Sequence, residues 1–191
     1  MTDYGDGKSV LGAQRKMDEE LKDILTRVFG PEGWHTDVLL ANPGSPRQLC
    51  LFVDDHIRLL EVLKLLRDHP DLRFNQLIDL TAADYLNFPH PSGRFAVIYS
   101  LLSIPYNRRL WVKVMLNEPD LAVPSVTDLW GAANWLEREV YDMFGIVFTG
   151  HPNLRRILTP DNFVHYPLRK DYPVTGLGER DNFPCVGRED A

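Results

Sequence analysis

The sequence predicts an α+β domain, with helices layered on one face of a mainly antiparallel sheet, followed by an extended C-terminal arm without regular structure. The elements follow the order helix, strand, strand, helix, further strands, helix. Connections between the paired strands are too short for the crossovers of an all-parallel sheet. After Thr159 the chain is rich in proline, glycine and charge and has no periodicity. We therefore divide it into a flexible N-terminal arm at residues 1–13, a domain at 14–145 and a partner-binding arm at 146–191.

Composition limits the classes of function. The 191 residues are 44% hydrophobic and 10% aromatic, enough for the core of one domain. A net charge of −6 argues against nucleic-acid binding and against direct attraction to an anionic membrane. No stretch approaches the roughly 18 apolar residues of a membrane-spanning helix, and the N-terminus lacks the apolar region of a secretory signal. The two cysteines indicate a reducing compartment and argue against a disulfide, zinc or iron–sulfur framework.

In the first half of the chain, apolar side chains recur at helical spacing between Met17 and Val28, and Gly30-Pro31 ends this helix. We predict one strand at residues 34–40 and another at residues 48–53 (QLCLFV). The turn-rich loop between them is typical of a hairpin. Asp54-Asp55 offer a cap for a second amphipathic helix over residues 57–67.

The second half contains three more strands and a helix. Residues 77–80 lead as a strand into TAADYL, and strands follow at 94–103 and 109–116. We predict a third helix over residues 126–144, with Ser125 as its N-cap and Gly145 as its left-handed stop. Its core-facing stripe is Leu129, Ala133, Leu136, Val140 and Met143, and its other side carries Trp130, Asn134, Glu137, Arg138, Tyr141 and Asp142.

The third helix and the turn after it hold the candidate chemical groups. Glu137 and Glu139 are two residues apart and point to different faces, so they are not a catalytic pair. Arg138 and Asp142 are four apart and can neutralise each other on the surface. His151 lies in a turn and could act as a general base if Glu139 reached it. The close histidine pair of a zinc helix is absent, so we expect no metal site.

Two basic pairs in the arm favour an interface. Arg155-Arg156 and Arg169-Lys170 each follow a proline-bounded turn and lie beside apolar residues such as Leu154 and Leu168. Solvated charge is the simpler interpretation. Arginine and tyrosine are, however, favoured interface anchors, and an aperiodic segment cannot satisfy its own backbone. A partner that orders this arm is therefore the sharper hypothesis.

A long motif resembles a known family. Glu137-Arg138-Glu139, then Asp142-Met143-Phe144-Gly145-Ile146, then Gly150-His151-Pro152-Asn153-Leu154-Arg155-Arg156-Ile157-Leu158 resemble the signature of the thirty-kilodalton subunit of respiratory complex I, which is the C subunit of the bacterial NADH–quinone oxidoreductase. Residues 79–85 (DLTAADY), 94–97 (RFAV), 124–139 and 167–173 (PLRKDYP) also match. The resemblance spans residues 74–176. His165-Tyr166 depart from the family's usual Gly-His, so the resemblance does not imply a glycine-dependent turn at this position.

This resemblance implies a role inside a larger enzyme. The complex moves electrons from NADH through FMN and iron–sulfur clusters to quinone and pumps protons, while this subunit binds no cofactor and has no active site of its own. It is peripheral, on the cytoplasmic side of a bacterial inner membrane, and attached through other subunits. Its arm lies on the quinone-site subunit (the enzyme's D subunit), near iron–sulfur subunits. The expected interface residues are Glu137, Arg138, Glu139, Tyr141, Asp142, Phe144, Gly145, His151, Pro152, Leu154, Arg155, Arg156, Leu168, Arg169, Lys170, Asp171 and Tyr172.

Two alternatives stay open at this point. Similar subunits occur in energy-converting hydrogenases and related complexes. Outside the family, the chain could be a free-standing acid/base enzyme that uses Glu139 and His151.

Overall fold

A computed structural model describes residues 7–30, 32–39, 48–88 and 92–179. Three α-helices, one short 3₁₀ helix (His56–Arg58) and seven strands occur in these ranges. The α-helices and strands are α1 (Gly7–Phe29), β1 (Trp34–Leu39), β2 (Gln48–Val53), α2 (Leu59–Asp68), β3 (Gln76–Asp84), β4 (Phe95–Ser103), β5 (Arg108–Leu116), β6 (Ala122–Pro124), α3 (Ala133–Phe144) and β7 (Val147–Thr149).

Five strands form one mixed sheet in the order β1-β2-β5-β4-β3. Three of its pairings are antiparallel, and only β2 with β5 is parallel. This arrangement confirms the predicted α+β class with a mainly antiparallel sheet. β6 and β7 form a separate parallel pair that the sequence did not reveal, because three residues are too few to show a period.

One face of the large sheet packs into the core. Leu51, Val112, Tyr99 and Leu80 lie side by side across four strands and are buried. Buried leucines of α1 and α2 and apolar residues of α3 belong to the same cluster. The period-2 pattern of β5 and the helical spacing in α1 and α2 place these side chains as predicted.

Helix α3 differs from its prediction at the start. It begins at Ala133, whereas the sequence predicted a start at residue 126. Ser125 is not its N-cap, since Ala132 is the residue before the helix and the Ser125 hydroxyl accepts from Thr127 N in an earlier turn while donating to Glu137 at 2.7 Å. The backbone NH groups of Leu129 and Trp130 bond Val126 O in turns that precede the helix. The helix ends as predicted at Gly145, which has a φ of 77°.

Two predicted segment boundaries also shift. Helix α1 begins at Gly7, inside the stretch 1–13 predicted as an arm, and residues 1–6 lie outside the described residues. At the other end, Ile146 and Phe148 are buried in the core and β7 pairs with β6. The stretch without helix or strand therefore starts after Thr149 rather than at residue 146. We call residues 150–179 the arm.

Candidate partner interface

The first half of the arm is held by one carboxylate. Asp142, in the last turn of α3, is fully buried. Its Oδ2 accepts hydrogen bonds from the backbone NH groups of Ile157, Leu158 and Thr159, at 2.9, 2.7 and 3.0 Å. Its Oδ1 accepts from Nη1 of Arg156 at 2.7 Å and from the hydroxyl of Thr159. Four consecutive arm residues are thus ordered by the domain itself.

These contacts determine the charge state of Asp142. Burial raises the pKa of a carboxyl group, because it disfavours the charged form. At Asp142 the hydrogen bonds from Thr159 and Leu158, with that from Arg156, outweigh burial and hold the pKa well below its ordinary value. Asp142 is therefore a charged, structural anchor at neutral pH.

The second half of the arm is held by another carboxylate. Asp84, at the end of β3, is buried, and its Oδ2 accepts the backbone NH of Lys170 at 2.8 Å. The guanidinium of Arg94 bonds both oxygens of Asp84, at 3.2 and 3.1 Å. Nη2 of Arg94 also lies 2.8 Å from Oδ2 of Asp171. Burial acts to raise the pKa of Asp84, but the bonds from Arg94 and Lys170 lower it overall. The arm is fixed at a point 86 residues from Asp84 in sequence.

The arm also completes the end of helix α3. The last carbonyls of a helix have no partner within it and carry a partial negative charge. Here Leu168 N donates to Met143 O at 3.2 Å, and Nε of Arg169 donates to Phe144 O at 2.7 Å. Nη1 of Arg156 donates to Asp142 O at 3.1 Å. Two arginines from the arm thus supply the cations that a helix C-terminus favours.

Tyr166 of the arm fits against Gly145. A Cβ added at Gly145 would lie 2.6 Å from the Tyr166 ring and 2.8 Å from Nη2 of Arg169. Two guanidinium groups lie over the Tyr166 ring, with Cζ of Arg169 at 4.6 Å and Cζ of Arg156 at 5.2 Å from its centre. Tyr166, which stands where the family usually has histidine, is therefore packed against Gly145 and the two arginines. His165 does not adopt a positive φ, so no glycine is required there.

Glu137 also faces inward. Its Oε1 accepts the backbone NH of Val126 and its Oε2 the hydroxyl of Ser125, both at 2.7 Å. Burial raises its pKa to about 7, although both hydrogen bonds act to lower it. Glu139, two residues on, is exposed, so the prediction that the two carboxylates face different sides is confirmed.

The predicted pair of Arg138 and Asp142 is wrong. Both residues are buried rather than on the surface. Nε of Arg138 donates to Arg155 O at 3.2 Å, and its guanidinium carbon lies 4.6 Å from the centre of the Trp135 ring. Other residues that helical spacing placed on the solvent side of this predicted helix, such as Trp130 and Glu137, are buried as well. Asp142 is buried because the arm covers its carboxylate, for which helical spacing had predicted an ion pair with Arg138.

The structure does not bring Glu139 to His151. Nε2 of His151 lies 3.1 Å from Asn134 O, and its Nδ1 accepts from Asn153 N at 2.9 Å. Both ring nitrogens are used in holding a turn. Within the described ranges, no group of three histidine, cysteine, aspartate or glutamate residues could hold a metal ion.

The predicted interface residues fall into three groups by exposure. Buried residues are Glu137, Arg138, Asp142 and Phe144; half-buried residues are Tyr141, Gly145, His151, Leu154, Arg156, Arg169 and Tyr172; exposed residues are Glu139, Pro152, Arg155, Leu168, Lys170 and Asp171. Sequence reasoning missed Asp84, Arg94, Thr159 and Tyr166 as parts of this site. Asp84 and Arg94 lie in matched motifs, which was the one signal available.

The outer side of the arm is apolar. Leu158, Val164, Leu168, Val174 and Leu177 are between 54% and 103% exposed. A groove of about 740 Å³ is lined by apolar residues, among them Leu158, Leu168 and Val174, and by the charged residues Arg169, Lys170 and Glu179. The exposed cations Arg155 and Lys170 form no ion pair with any described residue. The inner side of the arm is thus bonded to the domain, whereas its outer side exposes apolar side chains and two cations that have no ion-pair partner among the described residues.

A family model described as "Respiratory-chain NADH dehydrogenase, 30 Kd subunit" matches residues 53–177, which include β3 to β7, α2, α3 and most of the arm. The chain belongs to this family. The resemblance inferred from the motifs is confirmed.

Relatives agree with this assignment. A protein of Caulobacter sp., named as the C subunit of NADH-quinone oxidoreductase, is 54% identical over 122 residues, covering 64% of this chain and 55% of the relative. One of the same name from Citrifermentans bemidjiense is 54% identical over 130 residues, covering 68% and 76%. The chain thus spans little more than half of the first relative's length.

Two solved structures share the fold. A trypsin-resistant fragment of Nqo5 is 38% identical, covers 70% of this chain and 98% of the fragment, and has a TM-score of 0.58. A chain from the membrane-bound sulfane sulfur reductase, an archaeal respiratory membrane complex, has a TM-score of 0.65 and covers 91% and 94%. At 23% identity, the second shows the shared fold alone. No helix in the described part of the chain is long and apolar enough to cross a membrane.

Proposed function

We propose that this chain is a non-catalytic, peripheral-arm subunit of a proton-pumping NADH–quinone oxidoreductase, and that its arm binds the quinone-site subunit. The proposal rests on the difference between the inner and outer sides of the arm. Asp142 and Asp84 hold its inner side, while its outer side presents apolar groups to water in a member of a respiratory subunit family.

The apolar side of the arm supports docking on energetic grounds. Removing apolar surface from water contributes roughly 25 cal/mol per Å² before the entropic costs of association are subtracted, and exposed apolar patches of this kind mark interaction sites. The groove and the side chains around it are already positioned by the domain. Docking therefore requires little further ordering of the chain, which reduces the entropic cost of association.

The exposed charges of the arm support a partner with acidic groups. Arg156 and Arg169 are neutralised within the chain by Asp142 and Glu118. Arg155 and Lys170 are exposed and have no such partner among the described residues. Charge-assisted hydrogen bonds from these two residues to carboxylates of the quinone-site subunit would orient the docked arm.

In this proposal the chemistry belongs to the other subunits. They carry the FMN and iron–sulfur clusters that pass electrons from NADH to quinone, and this chain binds none of these groups. The chain lies on the cytoplasmic side of a bacterial inner membrane and is held there by its neighbours, among them the quinone-site subunit and nearby iron–sulfur subunits.

A tagged pull-down from gently solubilised membranes, with mass spectrometry of the recovered proteins, tests the proposal. We expect the quinone-site subunit, iron–sulfur subunits and NADH-oxidising subunits in stoichiometric amounts, with cells that carry the untagged chain as the control. Recovery of the chain alone would contradict the assembly role.

The second candidate is the equivalent subunit of an energy-converting hydrogenase or a related complex. The fold shared with a chain of the sulfane sulfur reductase complex favours keeping it. The same pull-down separates the two, because recovery of nickel–iron hydrogenase subunits without NADH-oxidising subunits would select this candidate.

A further inference from the structure

The five-stranded sheet has a second face, opposite the core. Across it, Phe52, Lys113 and Ile98 lie side by side on β2, β5 and β4, with Trp111 and Met115 on the neighbouring rows of β5. All five are half-buried, whereas the residues between them on β5 are fully buried in the core. We call these five residues the open face.

Lys113 lies at the centre of the open face and forms no ion pair with any described residue. Its Nζ donates to the hydroxyl of Tyr85 at 2.8 Å and lies 4.4 Å from the Tyr85 ring centre and 5.4 Å from that of Phe52. No carboxylate in the described part of the chain forms an ion pair with it. The aromatic rings and the phenol attract the ammonium group but do not neutralise it.

We propose that the open face is a second docking surface, separate from the arm, and that it receives a protein subunit that brings apolar side chains and a carboxylate opposite Lys113. Aromatic residues and methionine are enriched in the cores of protein interfaces. Covering this face removes water from the ammonium group, which is costly unless an opposite charge takes the place of that water. The charge of Lys113 thus selects an acidic partner surface.

A second copy of this chain is a poor occupant of the same face. Lys113 lies on β5, the central strand of the sheet. A two-fold symmetric contact centred there would bring the two Lys113 ammonium groups together, and like charges in contact oppose association. None of the residues that line the arm groove belongs to the open face, so this surface goes beyond the docking of the arm proposed above.

Amine labelling of the unaltered chain tests whether a partner covers the open face. The assembled complex and the free chain are treated with an acetylating reagent, and acetylation of Lys113 is read by mass spectrometry against the fully reacted, denatured chain. We expect acetylation of Lys113 in the free chain and its loss in the complex. Equal acetylation in both states would overturn the proposal.

Carbodiimide cross-linking tests the identity of the occupant, because it joins an amine directly to a carboxylate in contact with it. The expected product links Lys113 to an aspartate or glutamate of another subunit. A link to a second copy of this chain would overturn the proposal, as would protection of Lys113 with no cross-link at all, which is the result for a lipid or an uncharged cover.

Charge variants extend the test. We expect Lys113→Glu to lose recovery of the partner subunit, and Lys113→Arg to retain it. Lys64→Glu makes the same charge change at an exposed position on α2, away from the open face, and is expected to retain recovery. If Lys113→Glu retained recovery as fully as Lys64→Glu, Lys113 would not face a carboxylate.

Discussion

Asp142 on α3 and Arg156 in the arm form an ion pair of 2.7 Å inside the protein, with the carboxylate fully buried and the guanidinium only 12% exposed. The same carboxylate orders the backbone of the next three residues. The charges of this motif are therefore used within the chain. They hold the arm on the folded domain, so the proposed docking has to use other residues.

Replacement of Asp142 by asparagine is expected to lower the free energy of unfolding by about 3–5 kcal/mol, the usual cost of breaking a buried ion pair. Asparagine leaves Arg156 buried without its counter-charge and turns one acceptor oxygen into a donor that faces other donors. Urea denaturation of the free chain measures the change, and limited proteolysis reports release of residues 156–159.

Glu139→Gln is the matched control on the same helix, because Glu139 is exposed. Its effect should stay within about 0.5 kcal/mol, as for most surface substitutions. If Asp142→Asn were as stable as Glu139→Gln, this carboxylate would not anchor the arm.

Gly145→Ala is expected to loosen the arm from the helix end. Its φ of 77° costs an alanine about 1–2 kcal/mol in the left-handed region, and the new Cβ would meet the Tyr166 ring at 2.6 Å. Thermal denaturation measures the total loss of stability, and the fluorescence of a probe attached in the arm measures its displacement.

Gly150→Ala isolates the backbone contribution to that loss. Gly150 has a similar φ of 84°, but a Cβ there meets nothing within 4 Å. We expect Gly145→Ala to destabilise the chain more than Gly150→Ala does. Equal losses would mean that the contact with Tyr166 contributes nothing.

Local pattern predicted most of the fold. β2 occupies the predicted residues, and α1 and α3 end as expected, because apolar spacing and glycine stops act over a few residues. The start of α3 was misplaced, because Glu137, from within the helix, bonds both the Ser125 hydroxyl and Val126 N, and the residues after Val126 form turns. A local capping pattern carries no information about such a competitor.

The site was less predictable than the fold. Asp84 and Lys170 are 86 residues apart in sequence, and only the folded chain brings them together. For Asp142, spacing indicated Arg138, whereas Arg156 and three arm NH groups bind it instead. A four-residue helical pair contributes only about 0.2–0.5 kcal/mol, which the buried hydrogen bonds to Asp142 readily outweigh.

Glu137 is expected to make stability depend on pH near neutrality. Its pKa is raised from 4.5 to about 7 by burial, so the folded chain holds this proton more tightly than the unfolded chain does. The stabilisation is complete below pH 4.5 and is lost as pH rises through 7. At about 1.4 kcal/mol per pKa unit the loss is on the order of 3 kcal/mol.

Glu137→Gln removes this titration while keeping an acceptor for Val126 N. The free energy of unfolding, measured by urea between about pH 5 and pH 8, should fall in the unaltered chain relative to the variant. Asp84 and Asp142, with lowered pKa values, lose their contribution only at lower pH and do not obscure the comparison. Parallel profiles for the two chains would mean that Glu137 stays charged throughout this range.

Charge reversal at Arg155 and Lys170 is expected to separate docking from folding. Both side chains are exposed, and their backbone groups, which bond Arg138 and Asp84, are unchanged by substitution. The double variant Arg155→Glu/Lys170→Glu should alter the stability of the free chain by less than about 1 kcal/mol. Its recovery of the quinone-site subunit from solubilised membranes should fall, because repulsion replaces attraction at the docking surface.

Arg169→Ala provides the contrast. This guanidinium bonds Phe144 O and Glu118 within the chain, so its loss should lower both the stability of the free chain and the recovery of partners. Lys64→Glu, an exposed reversal on α2, should lower neither. A double variant at Arg155 and Lys170 that recovered the quinone-site subunit as fully as Lys64→Glu would show that the exposed cations of the arm do not contact the partner, and docking would then have to rest on its apolar groove alone.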